Sequence, residues 1–141
     1  AMAAPEGKLL STDKAVAAQI AQWAAFADSE ITAYHGAMSG MVAGYFAYAK
    51  PTYTSFAQKF ESRLTVLNKY LEDKTYLVGD RVTFADVAVA GALFGAFTGK
   101  GHADAAVRAK VPNVVRFFET IVKSSKLAPV FGEVNYSETA P

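Results

Sequence analysis

From Phe84 to Phe97 the chain carries a single charged residue, Asp86, and its large apolar side chains Val87, Val89, Leu93, Phe94 and Phe97 fall on every side of a helical wheel. A helix that is apolar all round has to be surrounded. These fourteen residues rise only about 21 Å, too short to cross a bilayer. The predicted surroundings are therefore the other helices of an all-α bundle, which can approach closely where Gly91 and Gly95 stand four apart.

The start of this helix is written in Val82-Thr83-Phe84-Ala85-Asp86-Val87. Thr83 at the N-cap can accept from the Asp86 N–H, and Asp86 three positions on can reach back to the Thr83 N–H, which satisfies donors that no helical carbonyl can serve. Val82 and Val87 stand at the two positions of a hydrophobic staple. Asp86 thus reads as a structural cap rather than a catalytic carboxylate.

Helical periodicity extends over most of the remaining chain. Ser11, Thr12 and Asp13 offer helix-start chemistry, and Val16, Ile20, Trp23, Ala27, Ile31 and Tyr34 then recur at steps of three or four. The segment Gly36 to Gly44 is expected to interrupt this first helix. A second long helix is predicted from about Thr52 to Glu72, with Phe56, Phe60, Leu64, Leu67 and Leu71 inward and Lys59, Glu61, Arg63, Lys69 and Glu72 outward. A short helix from Asp104 to Lys110 and another from Pro112 to Lys123, with Val114, Val115, Phe118, Ile121 and Val122 inward, complete the set, before a terminal turn at Leu127, Val130 and Phe131. Ala1-Met2 reads as a vector-derived remnant. The expected organisation is a scar and flexible start at residues 1–7, one helical domain at 8–135 and a surface-wrapping tail at 136–141.

Composition removes several function classes. With 14 Lys+Arg against 13 Asp+Glu, the chain lacks the basic excess that phosphate contacts demand, so no direct nucleic-acid partner is expected. The absence of cysteine excludes a disulfide framework, a thiolate zinc site and a cysteine nucleophile. The uncharged window Ile31 to Ala49, with Gly36, Gly40 and Gly44 spaced by four, invites a membrane reading. Thr32, His35, Ser39 and three tyrosines dilute it, so no membrane partner is expected. Gly95-Ala96-Phe97-Thr98-Gly99-Lys100-Gly101 misses two positions of a phosphate loop and follows no strand pattern. His35 and His102 lie far apart in sequence without carboxylates at ligand spacing, so surface or turn positions are expected and no metal. Ser11, Ser39 and Ser55 have no nucleophile-elbow context. The aromatic residues follow helical stripes, with Tyr34, Tyr45, Tyr48 and Tyr53 the group that could instead line a cleft.

Tyr76-Leu77-Val78-Gly79-Asp80-Arg81-Val82-Thr83-Phe84-Ala85-Asp86, followed by an apolar helix, resembles the capping box and staple of the C-terminal, all-helical domain of glutathione transferases. Gln22 to Glu30, Val111 to Phe118 and Phe131 to Val134 are similar to the transferase-like domain of the elongation factor 1B gamma-subunit family. The resemblance covers roughly Lys8 to Asn135. It implies a glutathione transferase C-terminal-like bundle around a buried central helix, cytoplasmic, with no cofactor and no catalytic residue. In transferases the residue that activates glutathione belongs to a thioredoxin-like domain, whose pattern these residues do not carry.

The resemblance further implies an interaction and scaffolding role in translation elongation, with protein subunits of a translation complex or a second copy as partners. Related domains pair through the last long helix and the loop after the first, where an arginine such as Arg116 can stack across an interface; a solvated Arg116 is the other reading. Two alternatives stay open: the substrate-pocket half of a glutathione transferase, and an appendage of an aminoacyl-tRNA synthetase complex.

Overall fold

A computed structural model describes residues 9–141; the expected scar at residues 1–7 lies outside the described residues. Asp13 opens helix α1, Lys14–Phe26, by accepting from the N–H groups of Ala15 and Val16. The chain continues without a break through a π-helical turn, Ala27–Thr32, into α2, Ala33–Ala43. This corrects the expected interruption at Gly36: Gly36 and Gly40 lie inside α2, and only Gly44 ends it. The wide turn carries Ala27 and Ile31 into the core.

Helix α3, Lys50–Tyr70, has Pro51 in its first turn, where a missing N–H costs nothing, and buries Phe60, Leu64 and Leu67. Helix α4, Phe84–Phe97, is central: it packs against α1, the π turn and α6, Pro112–Val122. Its burial departs from the all-round expectation, because Phe84, Gly91 and Gly95 stay exposed along one edge. Helix α6 is strongly amphipathic and buries Phe117 as well as the expected Val114, Phe118, Ile121 and Val122. Its first turn is capped from another helix, since Asn68 Oδ1 on α3 accepts from the N–H groups of Asn113 at 2.8 Å and Val114 at 3.3 Å.

Short helices α5, Ala105–Ala109, and α7, Ala128–Phe131, complete the set. After α7 the chain returns to the body. Thr98 and Tyr136 form an antiparallel bridge, flanked by Gly99 N–H to Asn135 at 3.1 Å and Ser137 N–H to Phe97 at 2.8 Å. No helix among the described residues is long and apolar enough to cross a membrane.

Candidate functional site

A contiguous group of exposed apolar side chains lies where α2 gives way to α3. Gly44, at φ 83°, lets the helix close with a Schellman motif: Tyr45 N–H donates to Gly40 at 2.9 Å and Gly44 N–H to Met41 at 3.3 Å. The loop so launched presents Tyr45 at 83 % exposure, Phe46 at 60 % and Tyr48 at 58 %, with Val42 beside them. Phe46 is nevertheless seated, because its ring lies over Gly40, where any added side-chain carbon would overlap it. Apolar side chains this exposed and contiguous mark a contact surface.

Beside the loop lies a polar cluster that no sequence spacing discloses. Tyr48 packs on Tyr53 at 5.9 Å, and the Tyr53 hydroxyl meets His102 Nδ1 at 2.7 Å. His102 Nε2 meets Ser39 Oγ at 3.2 Å, and the His35 ring stands edge-on to His102 at 5.4 Å. Surface positions for the two histidines are thereby corrected: they touch, and His102 is buried. Contact becomes available because Gly101, whose added Cβ would strike the Ala96 carbonyl, lets the chain after α4 fold tightly back. Burial, and after it the neighbouring His35, pulls His102 down to about 4, and burial lowers His35 as well.

Ser39, His102 and Tyr53 have the order of a nucleophile, a base and an orienting group, but their chemistry is weak. The third member is a phenol in place of a carboxylate, and an imidazole held that low is a poor base near neutral pH. The tyrosines do not share one cleft: Tyr34 packs against Phe56 at 5.9 Å, while Tyr45 faces solvent. No cluster of three or more metal-ligating His, Cys, Asp or Glu side chains occurs among the described residues.

At the start of α4 both arms of the capping box are present. In the carboxylate arm Thr83 N–H donates to Asp86 Oδ2 at 2.8 Å, and the Asp86 N–H also reaches the Thr83 carbonyl at 3.1 Å. The other oxygen, Oδ1, accepts from Leu77 N–H at 2.9 Å, so one carboxylate ties the preceding loop to the helix. Burial pushes this carboxyl above the usual carboxylate range, partly opposed by those N–H donors. Val82 packs on the core and Val87 is half-buried.

Arg116 is exposed, and its Nη2 donates to the carbonyls of Leu71 at 2.6 Å and Lys74 at 3.0 Å at the end of α3. Arg116→Ala is expected to cost about 1 kcal/mol in urea unfolding through those two bonds.

A buried, capped central helix inside this α1–α6 arrangement defines a class: an all-helical domain of transferase type. The family model described as "Glutathione S-transferase, C-terminal domain" matches residues 16–125, and the chain belongs to that family. Within it, "Elongation factor 1-gamma" of Carassius auratus is 36 % identical over 121 residues, 86 % of this chain and 27 % of that protein. The "Glutathione S-transferase-like protein LUC7" of Fusarium is 33 % identical over 129 residues, 91 % of this chain and 58 % of that one. The crystal structure of the GST-like domain of elongation factor 1-gamma from Saccharomyces cerevisiae superposes with a TM-score of 0.85 over 96 % of this chain and 64 % of its own, at 22 % identity. The chain thus spans about a quarter of the length of the elongation factor relatives it matches.

Proposed function

We propose that this chain is the transferase-like domain of an elongation factor 1-gamma type protein, one helical domain over residues 8–135, and that it serves as a cytoplasmic protein–protein interaction module for translation elongation. The carrying observation is the aromatic loop. Tyr45, Phe46 and Tyr48 expose large apolar surface on a backbone fixed by the Gly44 motif, so little ordering entropy opposes docking. The 14 to 13 charge balance supports protein rather than nucleic-acid partners. Arg116, exposed on α6 and bonded at the far end of α3 from this loop, is proposed to serve a separate contact.

The test uses light scattering of the domain alone and mixed with the other subunits of elongation factor 1B. A stable complex or a homodimer is expected. Replacing Tyr45, Phe46 and Tyr48 together by serine is expected to weaken it at least about 100-fold, since aromatic anchors of a contact each contribute about 2 kcal/mol. Stability is expected to fall by only about 1 kcal/mol, because Tyr45 faces solvent while Phe46 and Tyr48 give up no more than their partial seats on Gly40 and Tyr53. A strict monomer that ignores those subunits overturns the reading.

The 33 % identity to the Fusarium transferase-like protein favours a second reading, the substrate-pocket half of a conjugating enzyme. Glutathione conjugation of an aromatic electrophile by the full-length protein would support that one. We propose that the isolated chain does not catalyse it.

A further inference from the structure

Two imidazoles packed ring against ring and largely out of water disfavour a proton on either. His35 on α2 and His102 after α4 meet at 5.4 Å with ring planes at 65°, and His35 Nδ1 is buried without a hydrogen-bond partner. Among the described residues, the other groups facing the pair put no carboxylate in hydrogen-bond contact with either ring. From α3 come Tyr53, bonded to His102, and Glu61, which shares a cavity of about 140 Å³ with His102 but is paired with Lys110 at 3.0 Å. From the start of α5 comes Asp104, whose oxygens accept from Val107 N–H at 3.0 Å and Ala140 N–H at 3.4 Å. Ser39 faces it from α2, and Lys100, lining a second cavity of about 220 Å³ on the other side of His102, is itself a cation. A proton arriving on either ring therefore has no carboxylate bonded to it and a second imidazole beside it.

The loop that holds His102 also holds the C-terminal segment. Ala103 N–H donates to Ala96 at 3.0 Å, Gly99 N–H to Asn135 at 3.1 Å and Ala105 N–H to Glu138 at 3.4 Å. The cavities on either side give the ring room to leave. We propose that the His35–His102 pair is a proton-operated latch: neutral, it holds loop 98–104 and segment 135–140 against α2 and α3, and protonation of either ring releases both segments while the core around α4 stays folded.

The direction follows from linkage. The imidazoles have their ordinary value of 6.5 in the unfolded or released chain, and His102 falls to about 4 when latched. Between those values the open form binds more protons, so the latch is complete above 6.5 and is lost as pH falls through that window. Hydrogen exchange of the intact chain, corrected for the intrinsic pH dependence and referenced to α4, is the test. Opening of 98–104 and 135–140 is expected to increase about tenfold for each pH unit within the window. In the double variant His35→Asn, His102→Asn this dependence is expected to disappear. A proton-dependent release that persists in that variant, or a loop-to-α4 ratio constant with pH in the parent, overturns the proposal. NMR titration of the parent's two histidine rings needs no variant: depressed values support the latch, and values near 6.5 for both rings sink it.

Discussion

Asp86→Ala is expected to destabilise the domain by about 3–5 kcal/mol in urea or thermal unfolding, the largest effect of any single substitution considered for this chain. The carboxylate is fully buried, and its two oxygens serve N–H groups on both sides of the helix start, Leu77 at 2.9 Å and Thr83 at 2.8 Å. Alanine leaves both donors in the interior without an acceptor, and each such orphan costs about 1–3 kcal/mol. Asp86→Asn keeps one acceptor but turns an NH₂ toward the other donor, so a loss of about 2–3 kcal/mol is expected. A loss below about 1 kcal/mol for alanine would mean that the loop before α4 repacks around the gap.

The pH dependence of that loss has a definite sign. Burial raises the Asp86 carboxyl above its ordinary 3.8, so the folded protein holds this proton more tightly than the unfolded chain does. Stability from this group is full below 3.8 and falls as pH rises through the raised value. The gap between the parent and Asp86→Ala is therefore expected to widen as the solution is acidified through that range, other titrations being common to both proteins.

Arg108→Ala is expected to cost about 2–4 kcal/mol and to free the C-terminal segment for proteolysis. One guanidinium joins three parts of the chain. Nη1 donates to the Ala103 carbonyl at 2.8 Å and also to the Ser137 carbonyl, Nη2 stands 3.8 Å from Glu138, and the group lies over the Tyr136 ring at 4.6 Å. Tyr136 is in turn held by Glu119 at 2.8 Å. Ala103 and Ser137 are buried, so alanine at 108 leaves their carbonyls unpaired. Arg108→Lys keeps the charge but loses the planar fork and its stacking, and about half of the loss is expected. Cleavage within 133–141 at the parent's rate in Arg108→Ala would show that the backbone bridge at Thr98 and Tyr136 holds the segment alone.

What the sequence discloses and what it conceals divide along physical lines. The cap of α4 is legible because Thr83 and Asp86 act across three residues, and the central place of that helix is legible because its apolar run leaves it no polar face. The second oxygen of Asp86 is not legible, since Leu77 donates from a loop whose path only the fold fixes. The continuity of α1 and α2 was hidden by Gly36 and Gly40, whose poor helix propensity is overridden by packing along the π turn and α2. At Gly40 the missing side chain leaves room for Phe46, a residue absent from the aromatic group that the sequence suggested. His35 and His102, like Asn68 and Asn113, come from separate elements, and no local pattern announces contacts made by tertiary folding. The histidine spacing that argued against a shared site was a statement about the chain, and the turn at Gly101 abolishes it.

The π turn at Ala27–Thr32 has a consequence for how this domain can change by insertion and deletion. A π turn holds about one residue more than an α turn for the same rotation, so removing one residue between 27 and 32 would convert it to an α turn and leave an unbroken helix from α1 into α2, with α2 still in register. The same deletion in the α-helical run just beyond it would rotate everything that follows by about 100°. Met38 would then leave the core, and His35 and Ser39 would swing away from His102. The turn is thus a register buffer: it absorbs a change of length that ordinary helix would convert into a new face for the whole of α2.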